Sequence, residues 1–162
     1  MPAKAIALLY DEKQKQCGSV EFSQKQFNLT ITVRAQVVGL KDGPHGFHIH
    51  EFGDRTNGCA TMGGHFDPYG EHHGGLDTLH RHAGDLGNVD SKDGIIDTII
   101  KCDSRKVHVS IYHAHARDCV LGRGVVLHKL QDDEGRGGDE ESLITGNAGA
   151  RVACGVIACA RV

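Results

Sequence analysis

Between Phe27 and Val37 apolar and polar residues alternate without a break: Phe27, Leu29, Ile31, Val33, Ala35 and Val37 against Asn28, Thr30, Thr32, Arg34 and Gln36. A period of two fits a half-buried strand and does not fit a helix. Ala3 to Leu9 and Gly18 to Phe22 are shorter runs of the same kind, and Ile95 to Ile100, Val107 to Ile111, Val120 to Leu127 and Val152 to Cys159 read as later strands. The chain has no stretch with a persuasive helical period. Its 22 glycines and 5% aromatic residues suit many tight turns. Several short strands with Gly-containing turns predict an all-β sandwich or barrel, immunoglobulin-like in its layering. At 162 residues the chain is expected to form one domain, 1–162, large enough to bury a core. Two stretches do not read as strands: 51–82, rich in Gly, His and Asp, and 131–150, rich in Gly, Asp and Glu. Loops of that length in a small domain are usually functional.

Charge removes some function classes. Lys plus Arg is 18 and Asp plus Glu is 21, a formal charge of −3, with no basic stripe for nucleic acid. No apolar run approaches the about 20 residues of a membrane span. The opening residues MPAKAIALLYDEKQ lack the apolar length and small-residue site of a signal peptide, so a cytoplasmic location is expected. The sequon at Asn28 falls inside a strand and is then expected to be silent. In a reducing compartment the default for each of the six cysteines is a thiol, and none is spaced as CxxC.

Twelve histidines are the unusual feature. His48 and His50 in HGFHIHE are two apart, so on a strand they share a face, with Phe47 and Ile49 on the other, core-directed face. Such a pair is half a transition-metal site; taken alone it reads more readily as two solvated side chains. The next stretch adds His65, His72, His73, His80, His82 and Asp85, and His128 ends the strand-like run VVLH. Imidazoles with one carboxylate suit a closed zinc site, and a bound ion would offset the entropy of ordering a long loop.

GFHIHEFGD, GGHFDP, HGG, RHAGDLGNV and GNAGARVACGVI, in this order, resemble the copper–zinc superoxide dismutase family over essentially the whole chain. The resemblance implies a Greek-key β-barrel of about eight strands with long metal-binding and electrostatic loops. It implies one copper on His48, His50, His65 and His128, and one zinc on His65, His73, His82 and Asp85. His65 would be a bridging imidazolate and catalytic residue. The HGG context selects His73 over His72, and R-H-x-G-D selects His82 over His80. The implied activity disproportionates superoxide to dioxygen and hydrogen peroxide by one-electron Cu(II)/Cu(I) cycling, an antioxidant defence. Four imidazole nitrogens suit Cu(II). Two other functions are weighed against it. A metal-delivery protein on this fold would carry an MxCxxC motif, which is absent here; an inactive zinc-only relative would not keep the full ligand set and Arg151.

The resemblance also implies supporting roles. Asp132 would accept hydrogen bonds from His48 and His73 and fix their tautomers. Arg151 would dock the superoxide anion, and Thr145 would stand at the channel mouth. Cys59 and Cys154 would form a disulfide closing a loop of roughly 95 residues, stabilising by about 4–5 kcal/mol; Cys17, Cys102, Cys119 and Cys159 would stay thiols. A homodimer is implied, through Phe52, Gly53, Asp54, Val120, Leu121 and 157–160. Ala150 and Val152 flank Arg151 where prolines go with strict need for a copper chaperone, so no strict need for one is expected. Ile144 and Leu130 stand where lysines are common, so substrate steering is expected to be weak. Residues 103–118 are longer than the family pattern; His113 and His115 there read as surface histidines ahead of a weak extra metal site, and His45 and His108 receive no metal role.

Overall fold

The computed structural model describes residues 3–105, 107 and 115–161. Among the described residues nine strands carry the fold: β1 (Ala3–Asp11), β2 (Gln16–Lys25), β3 (Asn28–Gln36), β4 (Gly43–His50), β5 (Asp85–Ser91), β6 (Ile95–Asp103), β7 (Gly124–His128), β8 (Arg151–Val156) and β9 (Ala158–Cys159). The alternating run is β3, with Leu29, Ile31 and Val33 at no more than 1% exposure and Asn28, Arg34 and Gln36 in solvent. Hydrogen-bonded neighbours run β5-β4-β7-β8-β1-β2-β3-β6, and β9 pairs with β1. The two ends, β5 and β6, are consecutive and meet at a tight turn bridged by Lys92 and Ile95. The sheet thus curls into a nearly closed antiparallel barrel. Two connections, β3 to β4 and β6 to β7, jump to non-neighbouring strands and give the Greek-key path.

The barrel is filled by inward positions of nearly every strand, among them Leu9, Phe22, Ile31, Phe47, Leu86, Ile96 and Leu127. Burying each such side chain stabilises by roughly 1.5–3 kcal/mol.

The strand boundaries differ from the sequence pattern in physically transparent ways. β5 escapes an alternation test because Gly87 takes φ 77° and leaves its apolar pair, Leu86 and Val89, three residues apart. Val120–Arg123 forms a turn closed by Arg123 N–H on the Val120 carbonyl, with Gly122 at φ 82°, so β7 starts only at Gly124. Of the expected strand Val107–Ile111, residues 108–111 lie outside the described residues; Val107 is buried.

Two long loops, 51–84 and 129–150, cover one outer face of the barrel. Their regular structure is limited to single 3-10 turns at Ala60–Met62 and Glu141–Leu143. They are tied to each other by His73 N–H on the Leu143 carbonyl, 2.9 Å. A disulfide between Cys59 and Cys154, Cα atoms 5.8 Å apart, anchors the first loop to β8. Around it Met62 and Val126 are fully buried, so β7 is covered on both faces.

Candidate metal centre and substrate channel

His48 and His50 do share one face of β4, opposite Phe47 and Ile49. That face is not solvent-exposed. His48 is 0% and His50 1% exposed, because both loops fold over it. The first loop returns alongside β4, where His50 bridges His65 and Phe66 N–H meets the Ile49 carbonyl at 2.8 Å. Register shifts fall beside His48 in the β4–β5 pair and beside His128 in the β7–β8 pair. Bulges of this kind re-aim a side chain out of simple alternation.

The donor atoms of His48, His50, His65 and His128 all lie within 4.8 Å of one another. Their outer nitrogens are committed. His48 Nε2 donates to Asp132 Oδ2 (2.6 Å), His50 Nδ1 to the Gly63 carbonyl (2.9 Å) and His128 Nδ1 to the Gly149 carbonyl (3.0 Å). A carbonyl or carboxylate accepts, so each of these nitrogens bears the hydrogen and the other bears a lone pair. The lone-pair nitrogens converge: His50 Nε2 and His128 Nε2 stand 3.2 Å apart, and buried His48 Nδ1 and His65 Nε2 have no hydrogen-bond partner among the described residues. Burial holds His48 down to about 3 and His128 to about 4, and pushes His50 well below its ordinary value, so protons do not relieve the crowding.

On the far side of His65 a second group forms around Asp85. Asp85 Oδ1 lies 2.9 Å from His65 Nδ1, 2.9 Å from His73 Nδ1 and 3.2 Å from His82 Nδ1, and the His65 and His82 nitrogens are 3.3 Å apart. Bonds of 2.0–2.1 Å to a tetrahedral zinc imply donor–donor edges of about 3.3 Å. The observed spacings fit that. A donor atom of His48 also comes within 4.8 Å of those of His65, His73 and Asp85, but its Nε2 is taken by Asp132, whereas His82 Nδ1 faces the group at contact distance. Asp85 Oδ2 accepts the backbone N–H of Gly74 and His82. Burial would raise its pKa; the three imidazoles outweigh that and hold it far below the carboxylate range.

Asp132 is 1% exposed and spans the two groups, taking His48 on Oδ2 and His73 Nε2 on Oδ1 at 2.7 Å. Against the cost of burial, these bonds keep it ionised, down to about 2. Burial would lower His73, but Asp132 and Asp85 hold it up at about 9. Gly146, at φ 71°, leaves room for this bond, since a Cβ there would collide with Asp132 and His73.

Above the His50–His65–His128 floor lies a cavity of about 520 Å³. Arg151 lines it, half-buried, with Nη1 on the Cys59 carbonyl (2.9 Å) and Nη2 on the Gly63 carbonyl (2.6 Å). Thr145 lines it too, its hydroxyl on Glu141 Oε1 at 2.7 Å.

A model of the family described as copper/zinc superoxide dismutase (SODC) matches residues 16–157. An extracellular Cu-Zn superoxide dismutase of Drosophila melanogaster is 46% identical over 162 aligned residues, covering 97% of this chain and 86% of its own. A protein named superoxide dismutase (Cu-Zn) 5 of Dictyostelium discoideum is 40% identical over 145, covering 90% and 91%.

The chain belongs to the copper/zinc superoxide dismutase family.

It is therefore an oxidoreductase that disproportionates superoxide, with copper and zinc as its metals, and the two donor clusters fit them. The expected cytoplasmic location does not stand. The Drosophila superoxide dismutase is extracellular, and this chain forms a disulfide of the kind favoured where thiols oxidise. The first expectation, thiols throughout, also yields to that bond. Cys17, Cys102, Cys119 and Cys159 are not disulfide-bonded.

Other residues of this superoxide dismutase escaped the sequence reading. Asn88 holds Asp132 from β5, donating Nδ2 to its carbonyl (3.0 Å) and accepting its N–H (2.7 Å). Buried Arg81 gathers the carbonyls of His82 and Asp85 on Nη1. The ring nitrogens of His45 bond to backbone carbonyls, those of Lys41, His128 and Lys129. None sits in a spacing that marks it. Among the remaining histidines His72, His80 and His115 are exposed, while His108 and His113 lie outside the described residues.

Proposed function

We propose that His48, His50, His65 and His128 hold the copper, and that His65, His73, His82 and Asp85 hold the zinc. The observation that carries this is the convergence of lone-pair nitrogens whose other nitrogens are fixed as donors, with His65 presenting one nitrogen to each group. Copper bound there supplies the one-electron exchange with superoxide. The chain's residues do the rest. Arg151 draws the anion to the floor of the cavity; its charge faces carbonyls, which do not cancel it. His65, held through Nδ1 beside Asp85, uses Nε2 either to hold copper or to carry a proton, and in the second state delivers that proton to the departing peroxide, whose second proton comes from water. Asp132 keeps His48 and His73 in one tautomer and one orientation. Thr145 and Glu141 narrow the mouth. The reading takes the chain as a single domain.

Replacing His128 tests the assignment, because His128 belongs to the four-imidazole group alone. In His128→Ala, copper affinity is expected to fall by more than about 100-fold and dismutation with it, while zinc stays bound. Loss of zinc together with copper, in a folded variant, would overturn the division of ligands. The reading includes a homodimer, supported by exposed Phe52, whose neighbour Gly53 packs against Val156 of β8.

A further inference from the structure

The cavity over the histidine floor is much larger than a two-atom anion requires, and its rim is greasy. Leu130 and Ile144 line it and are each 52% exposed. Leu130 lies over Gly149, where a Cβ would meet its Cδ1 at 2.9 Å. Arg151, two residues further on, is the cation of this cavity. Two of its N–H groups are engaged, both by neutral carbonyls, and among the described residues no carboxylate pairs with it. The remaining donors of a planar fork match a carboxylate. Glu141 is on the same rim, its Oε1 engaged by Thr145. Its charge weakens the hold on a bare anion and disfavours a second negative group on any ligand. A ligand complementary to all of this has one anionic head and a short apolar tail.

Resting on the reading of Arg151 as an anion dock, we infer that the mouth is a binding site for short unbranched aliphatic monocarboxylates. The head group sits on Arg151 and the tail on Leu130 and Ile144, so such ligands compete with superoxide.

Calorimetric titration of the copper–zinc-loaded enzyme with acetate, butyrate, hexanoate and the dicarboxylate adipate tests this. Affinity is expected to rise roughly two- to fourfold per added methylene, hence by more than about tenfold from acetate to hexanoate. Adipate should bind no better than acetate. In the double variant Leu130→Ser, Ile144→Ser, both exposed positions, hexanoate should fall to within about twofold of acetate, with acetate unchanged. The inference is overturned by equal binding of acetate and hexanoate, by a chain-length series that survives in the double variant, or by adipate matching hexanoate. Calorimetry reads binding without turnover. A fault in the metal-centre reading therefore shows as absent dismutation, and a fault in this inference shows in the chain-length series.

Discussion

Burial decides the protonation of the site histidines, and four of them resist protons in the folded chain. His48 is held to about 3, His128 to about 4, and His50 and His65 are lowered too, all chiefly by desolvation. Unfolded, each titrates near about 6.5. Below that pH the unfolded metal-free chain takes up protons that the folded one refuses, so stability falls by about 1.4 kcal/mol per pH unit for each such histidine. His73 runs the other way. Raised to about 9, it contributes stability fully present below the unfolded value and lost as pH rises through 9. Thermal unfolding of the metal-free protein from pH 4 to 9 should give the highest Tm near neutrality, with the steeper fall on the acid side. A Tm unchanged between pH 7 and 4 would contradict this. Residue types and motif contexts made the seven side chains of the two donor clusters nameable from the sequence. Asn88 and Arg81 were not, because their work is done on backbone groups that only folding brings near.

The strands were readable wherever alternation is clean, as in β3, and unreadable where the chain bends to serve the site. β5 carries Asp85 at its start and a positive-φ glycine in its middle, and it has no periodic signature. The metal loop shows a further tie. Midway between His65 and His73, Tyr69 donates its hydroxyl to buried Asp118 at 2.8 Å, with Arg117 over its ring, and Arg123 stacks on Phe66 at 3.9 Å. These contacts latch the loop to the segment ahead of β7. Tyr69→Phe removes one charge-assisted hydrogen bond, costing about 1.5–3 kcal/mol at most. Zinc release to a chelator should speed up several-fold, by about threefold or more, while the barrel stays folded. An unchanged release rate would show that the latch does not restrain the ligands.

Taken entire, the described molecule is a barrel whose one covered face holds the two donor clusters, and the family motifs foretold the barrel. The cytoplasmic expectation was wrong: it rested on the opening residues alone, whereas the extracellular relative and the Cys59–Cys154 disulfide point the other way. Of the residues named for a two-fold contact, Val120 and Ile157 are buried within the chain, leaving exposed Phe52, Asp54, Ala158 and Cys159 with half-buried Gly53, Leu121 and Ala160 as the reachable surface. Closed two-fold pairs are the commonest homo-oligomers, and sedimentation at micromolar concentration should give twice the mass of 17.4 kDa. A single-chain mass would remove the dimer from the account. The metal centre itself is tested by copper and zinc content per chain, measured on the same sample as superoxide consumption. One copper and one zinc per chain are expected, with dismutation lost when copper is withdrawn and restored when it returns. Zinc filling both sites with no copper uptake, or full dismutation in copper-free protein, would contradict it.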